Sequence, residues 1–171
     1  MKVEKLTLHH FRNIRECVFT PSQGLNFLIG PNGQGKTSFL EALGYLSTLR
    51  SFRGSKSAEV VQWGSDQAEI HCDLVPESPE LKDWRTELKV AFGVTDRDKQ
   101  KASKVAFING KPYRSSTQYL SQRFGQYELG FHTVIFNPSD HDLVRGDPGT
   151  RRSFLDRVLA AEDVEYLKTI Q

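Results

Sequence analysis

The 171-residue chain carries 23 Lys and Arg residues against 21 Asp and Glu residues, so its formal net charge is only +2. Overall charge therefore gives no reason to expect a nucleic-acid partner, and any such expectation must rest on a local basic patch. The two cysteines, Cys17 and Cys72, are too few and too far apart for a disulfide framework. Because no run of about 18 apolar residues is present and no apolar segment follows the first residues, we expect a cytoplasmic protein.

Three strands are predicted at the start of the chain. Residues 3–8 and 14–19 mix polar and apolar side chains and end before a turn signal at residues 21–24. Residues 25–29 then form a short apolar run, which is typical of a central strand covered on both faces. The first two strands indicate an antiparallel sheet beside that central strand.

The next segment fits the phosphate-binding pattern G-x-x-x-x-G-K-[ST] at every fixed position. Apolar residues at 39, 40, 43 and 46 continue at helical spacing, so the order is strand, glycine loop and helix, as the pattern requires. The predicted nucleotide-binding residues are Gly30, Pro31, Asn32, Gly33, Gln34, Gly35, Lys36 and Thr37.

The chemistry of a bound nucleoside triphosphate explains these residue types. Glycines allow the backbone N–H groups to approach one phosphate chain, and the helix start adds its positive dipole end. Lys36 would bridge the β- and γ-phosphates of ATP, and the Thr37 hydroxyl would bind Mg²⁺. The alternative is a glycine-rich turn before an ordinary helix, which would need neither this lysine nor this threonine.

A meander of antiparallel strands is predicted after the first helix. A polar connector and a short helix at residues 57–63 lead to alternating apolar residues at 68–74 and again at 84–92. Residues 105–113 surround an Asn109-Gly110 pair, which predicts a hairpin with a type I′ turn. The meander occupies residues 66–114.

Helices are predicted in the last third of the chain, and residues 133–136, between the first two of them, are strand-like. Ser115 or Ser116 caps one helix, and Asp147-Pro148 begins another. Their predicted apolar residues are Leu120, Phe124 and Tyr127 in the first, and Phe154, Leu155, Val158 and Leu159 in the second. A further helical pattern is cut off at Gln171, so we expect the chain to be a fragment of a longer protein.

Several of these segments together resemble a known family. The sequence FRN at residues 11–13, the loop at 30–37 and the Glu-Ala pair at 41–42 are similar to the N-terminal lobe of SMC- and RecF-type DNA-repair ATPases. The RSFR segment at residues 50–53 and the stretch from 136 to 156, ending in RRSFLD, resemble RecF-type sequences in particular. The resemblance extends from one end of the chain to the other.

The resemblance implies a fold and a nucleotide site. The fold would be an α/β P-loop NTPase, an ABC-type ATPase lobe with a mixed sheet and the inserted antiparallel meander. Residues 1–171 would be lobe I, with a helical lobe beginning near 147. In that family ATP lies between two subunits of a homodimer, and Arg12 and Asn13 of this chain would lie near the nucleotide.

The resemblance also implies partners. RecF-type proteins bind DNA at single-strand gaps and junctions, and act with RecO and RecR to promote RecA loading. Residues 97–114 hold six basic residues against one acidic residue, a run that is either a solvated loop or a contact to DNA phosphates. The DNA candidates are Lys99, Lys101 and Lys104.

Two other functions were weighed, a small-molecule P-loop kinase and a GTPase switch. The two leading strands and the meander disfavour the kinase, and the lack of N-K-x-D and D-x-x-G motifs disfavours the GTPase. The apolar run at residues 134–136 ends in Asn137 rather than in the acidic residue of a Walker B strand. We therefore expect ATP binding without efficient hydrolysis by this chain. The five histidines match no zinc spacing.

Overall fold

One antiparallel sheet organises the part of the chain that the computed structural model describes, residues 1–77, 84–122 and 131–170. Its strands are β1 Lys2–Phe11, β2 Ile14–Phe19, β3 Gln67–Val75, β4 Thr86–Asp96, β5 Lys101–Ile108 and β6 Lys111–Tyr113. The α-helices in these ranges are α1 Lys36–Thr48, α2 Ser116–Ser121, α3 Asp142–Arg145, α4 Pro148–Glu162 and α5 Val164–Thr169. Short 3-10 turns cover Ser57–Val60 and Pro138–His141.

The strand order is β2-β1-β3-β4-β5-β6, and every described pair is antiparallel. Because β1 pairs with both β2 and β3, the first hairpin and the meander form one continuous sheet rather than a sheet with a separate insertion. The strands predicted from alternation at residues 68–74 and 84–92 are confirmed, although the second begins at Thr86 and extends to Asp96. On β3 the alternating apolar residues are all at most 4% exposed: Ala68, Ile70, Cys72 and Leu74.

The β5–β6 turn confirms the prediction from the Asn-Gly pair. Asn109 has φ 49° and Gly110 has φ 76°. A type I′ turn needs positive φ at both central residues, and Asn and Gly reach that region at the least cost. The turn also fixes the register, with Ile108 opposite Lys111.

Helix α1 packs against the sheet through most of the predicted face, since Phe39 and Leu46 are buried and Leu43 packs against the core. Tyr45 meets Phe92 of β4 edge to face, with ring centres 5.1 Å apart. Leu40, predicted as part of the apolar face, is 50% exposed. The buried side also includes three polar or charged residues, Ser38, Glu41 and Ser47, among its members, which are Ser38, Phe39, Glu41, Ala42, Gly44, Tyr45, Leu46 and Ser47.

The strand predicted at residues 25–29 is wrong for this chain. The segment is irregular and pairs with none of the six strands. Leu25, Phe27 and Ile29 are 83%, 77% and 92% exposed, whereas Leu28 packs against the core. A strand is held by ladder hydrogen bonds from a neighbour, and apolar composition cannot supply that neighbour.

The strand-like segment at residues 133–136 is also not a strand, although it alternates. Thr133 shares a hydrogen bond of 2.5 Å with Ser47 of α1. Ile135 lies so close to α1 that a Cβ on Gly44 would overlap it. Val134 and Phe136 are more than 80% exposed. The segment therefore packs along α1 by its odd-numbered residues without joining the sheet.

Both predicted helix starts in the last third are confirmed. Ser115 accepts a hydrogen bond from the Gln118 N–H at the start of α2, and Asp147 accepts one from the Thr150 N–H ahead of Pro148 in α4. Of the predicted α2 residues, Leu120 is buried, and Phe124 and Tyr127 lie outside the described residues. The predicted apolar residues of α4 are 40–57% exposed. No helix within the described ranges is long and apolar enough to cross a membrane.

Candidate functional site

The glycine loop at residues 30–37 leads into the N-terminus of α1 in a conformation that requires glycine. Gly33 has φ 81° and Gly35 has φ 92°, in the left-handed region that other residues avoid. A Cβ on Gly35 would lie 3.0 Å from Ile14 Cγ1 and 3.2 Å from Asn13 Oδ1. The loop backbone is therefore packed closely against the turn between β1 and β2.

The N-terminus of α1 has the features of an anion site. Its N-cap, Gly35, supplies no side-chain hydrogen bond, and no acidic residue lies in the first turn. The first helical bond runs from the Phe39 N–H to the Gly35 carbonyl at 2.8 Å, so the preceding amides are available to an anion. The Lys36 ammonium lies over the loop and donates to the carbonyl oxygens of Gly30 and Pro31, both at 2.6 Å.

Asn13 ties the loop to the helix. Its Nδ2 donates to the Gly33 carbonyl at 2.5 Å, and its Oδ1 accepts from the Ser38 hydroxyl at 3.1 Å. One side chain on the β1–β2 turn thus fixes both the glycine loop and the first turn of α1. The resemblance implied a place near the nucleotide for Asn13, and the structure places it in contact with the loop.

Arg12, at the same turn, is held by a buried carboxylate. Its Nε and Nη2 donate to Glu41 at 3.0 and 2.5 Å, and its Nη1 donates to the Glu59 carbonyl at 2.8 Å. Glu41 is fully buried and also accepts from the Ser51 hydroxyl at 2.5 Å. Arg53 completes the group at 3.5 Å from Glu41 and is 46% exposed. Arg12 therefore lines the site as a fixed cation, with one hydrogen bond to the protein from each of its three guanidinium nitrogens.

A cleft of about 740 Å³ opens beside this loop, within the range of small-molecule sites. Its lining comes from the glycine loop and the start of α1, and from the β4–β5 turn and the residues before β3. Its lining includes four basic side chains, Arg12, Lys36, Arg53 and Arg97, against one acidic residue, Glu59. The cleft is therefore electropositive and suits a polyanionic ligand.

The site fits ATP with Mg²⁺ as far as the described residues extend. The Thr37 hydroxyl lies in the first turn of α1 and lines the cleft, where a P-loop threonine would bind Mg²⁺. Within residues 1–77, 84–122 and 131–170, no group of three or more His, Cys, Asp or Glu residues is placed to hold a metal ion by itself. The metal prediction therefore stays tied to the nucleotide.

The three DNA candidates occupy different environments. Lys99 is 71% exposed and lies 3.5 Å from Asp96, and Lys101 is exposed at the start of β5. The Lys104 ammonium instead donates to the Leu49 carbonyl at 2.7 Å and lies 5.5 Å from the centre of a buried tyrosine ring. Burial lowers the pKa of Lys104. We therefore do not retain Lys104 among the DNA candidates.

Two residues at the site were missed by sequence reasoning. Glu41 shares one helix face with Ser38, Ala42 and Tyr45, which are buried. This helical spacing could have predicted the burial of Glu41. Trp63 was assigned only to the end of a short helix. Its place at the cleft depends on the hydrogen bonds that join residues 60–62 to the end of β1, which the sequence pattern did not specify.

Comparisons with known proteins agree with this geometry. The family profile described as RecF/RecN/SMC N terminal domain matches residues 2–130. The DNA replication and repair protein RecF of Myxococcus xanthus (strain DK1622) is 36% identical over 93% of this chain and 37% of its own length. The protein of the same name from Geotalea uraniireducens (strain Rf4) is 34% identical over 98% of this chain and 40% of its own length. The chain thus spans about two fifths of these curated relatives.

Solved structures give the same result. A structure described as the recombination mediator protein RecF-ATP in the RecFOR pathway superposes with a TM-score of 0.82 at 27% identity, covering 99% of this chain and 42% of that one. A structure from work on ATP-driven dimerisation and DNA-stimulated activation of SMC ATPases has a TM-score of 0.64 at 16% identity, covering 91% and 98%, and shows a likeness of fold. These likenesses confirm the predicted α/β P-loop ATPase fold.

Proposed function

Because the chain belongs to the RecF/RecN/SMC N-terminal domain family, we propose that it is the ATP-binding lobe of a RecF-type protein of DNA replication and repair. One observation carries the proposal: the glycine loop, with the Lys36 ammonium lying over it, leads into the uncapped N-terminus of α1 at an electropositive cleft. The curated relatives named RecF support the assignment to DNA repair.

The residues of this chain would hold the nucleotide in defined ways. The amides at the start of α1 would bind the β- and γ-phosphates. Lys36 would exchange its two carbonyl contacts for charged phosphate oxygens, which are stronger acceptors. Asn13 would keep the loop in place, and Thr37 would bind Mg²⁺. ATP supplies the phosphoanhydride bond whose cleavage can drive a change between two assembly states.

The proposal extends to DNA and to protein partners. A RecF-type protein would bind DNA at single-strand gaps or junctions, pair with a second copy when ATP is bound, and act with RecO and RecR to promote RecA loading. Lys99 and Lys101 would contact DNA phosphates, because both are exposed at the β4–β5 turn. Hydrolysis would need a water-positioning group and further charge on the γ-phosphate, for which we propose a second subunit and an acidic strand beyond these residues.

The proposal is tested by titration calorimetry of Mg²⁺-ATP against wild type, Lys36→Ala and Lys5→Ala. Lys36→Ala removes the ammonium at the loop, so ATP affinity should fall at least tenfold, about 1.4 kcal/mol. Lys5 is exposed on β1 away from the cleft, and its alanine variant should bind like wild type. Equal ATP affinity in wild type and Lys36→Ala would refute the proposed site.

A further inference from the structure

Trp63 is 90% exposed on the wall of the cleft that Gly33, Gly35 and Lys36 also line. We propose that its indole stacks on the base of the nucleotide whose phosphates the glycine loop holds. The inference rests on the proposed function and adds to it a base-binding residue, which the phosphate pattern does not specify.

The turn that carries Trp63 is fixed on both sides. The Gln62 N–H donates to the His10 carbonyl at 2.7 Å, and the Gln62 Oε1 lies 3.0 Å from His10 Nδ1. On the far side of the turn, the Ser65 hydroxyl lies 3.1 Å from the same nitrogen, and the Ser65 N–H donates to the Gln62 carbonyl at 3.0 Å. The backbone is thus anchored to β1 while the indole stays in solvent.

Arg97 covers one side of the Trp63 ring. Its guanidinium carbon lies 5.7 Å from the ring centre, a cation–π distance. The guanidinium is itself fixed, since it donates to the Ser65 carbonyl and lies 3.3 Å from Asp66 Oδ1. The indole is therefore restrained in orientation by a neighbour on one face, and its second face is exposed.

A nucleotide matches the lining of this cleft. Its phosphates suit the basic side chains at the glycine loop, and its flat base suits the aromatic surface of Trp63, which lines the same cleft. Stacking on an aromatic side chain tolerates every base, because every base has a π-face. A restrained ring loses little freedom on binding, which favours affinity. Trp63 would therefore strengthen binding of ATP and GTP alike, but not of a phosphate chain without a base.

The test compares Mg²⁺-ATP with inorganic tripolyphosphate in calorimetry on wild type and Trp63→Ala. We expect Trp63→Ala to bind ATP about tenfold more weakly and tripolyphosphate equally well. Trp63→Phe keeps an aromatic face and should recover most of the affinity for ATP. Trp84→Ala is the matched control, because Trp84 is the second of the two tryptophans and lies outside the cleft lining. Circular dichroism checks that each variant is folded.

A second readout follows the indole directly. In Trp84→Phe, Trp63 is the only tryptophan, and its fluorescence should be quenched by ATP and much less by tripolyphosphate. Unchanged ATP affinity in Trp63→Ala, or an equal loss for ATP and tripolyphosphate, would overturn the stacking inference and leave the phosphate site standing. If wild type binds neither ligand, the proposed function fails, and the inference fails with it.

Discussion

Replacing Glu41 by alanine is expected to destabilise the protein more than any exposed charge substitution. Glu41, a residue of α1, is fully buried and accepts two hydrogen bonds from Arg12 and a third from Ser51. The side chain of Arg12 is only 14% exposed. Glu41→Ala therefore leaves a mostly buried guanidinium without its counter-charge and a hydroxyl without its acceptor.

The magnitude follows from this arrangement. Removing one partner of a buried ion pair costs about 3–5 kcal/mol. We expect the lower end, about 3 kcal/mol, because Arg12 keeps its bond to the Glu59 carbonyl and has some access to water. Glu41→Gln still offers one carbonyl oxygen and should lose less, about 1–2 kcal/mol.

Urea unfolding followed by circular dichroism measures the loss. With a slope of about 2 kcal/mol per M, the midpoint of Glu41→Ala should fall by roughly 1.5 M. Glu16→Ala is the matched control, because Glu16 is exposed on β2 and its loss should change stability by less than about 0.5 kcal/mol. A midpoint for Glu41→Ala equal to that of Glu16→Ala would show that the buried pair does not stabilise the fold.

Two further predictions concern the sheet and its basic turn. Burial raises the pKa of Cys72 to about 12. Iodoacetamide at pH 9 should therefore modify the half-buried Cys17 and spare Cys72, as measured by mass spectrometry. The contribution of the neutral Cys72 thiol to the free energy of unfolding should be complete below about pH 9 and lost as pH rises through about 12. The double variant Lys99→Ala/Lys101→Ala should make the slope of log K for DNA binding against log salt concentration shallower by up to about two, whereas Lys104→Ala should leave that slope unchanged. Equal slopes in all variants would show that the turn is a solvated loop that does not contact DNA.

The parts of the fold that were predictable from the sequence are those with a local physical cause. Alternation on β3 reports one buried face, and the Asn109-Gly110 pair satisfies a turn that needs two positive φ values. Ser115 and Asp147 cap helices with oxygens that accept the first free amides. In each case the cause lies within a few residues, so a single sequence contains it.

The prediction at residues 25–29 failed because its cause is not local. The apolar run has the composition of a buried strand, but a strand forms only beside a hydrogen-bonded neighbour, and the six described strands pair among themselves. Residues 133–136 show the same limit, since their alternation follows packing on α1 rather than a ladder. Alternation reports which side chains are covered and does not identify what covers them.

The candidate site shows the same division. The glycine loop was predictable because its residue types are required by phosphate geometry, whereas Trp63 reaches the cleft only because residues 60–62 are hydrogen-bonded to β1, about 50 residues earlier in the chain. The antiparallel sheet supplies both the Asn13 contact to the loop and, through the β4–β5 turn, Arg97 against Trp63. The lysines proposed for DNA lie on that same turn, so a nucleotide stacked on Trp63 would lie beside them. Lys99 and Lys101 variants must therefore be assayed for ATP affinity as well, because only a change confined to DNA binding assigns those lysines to DNA.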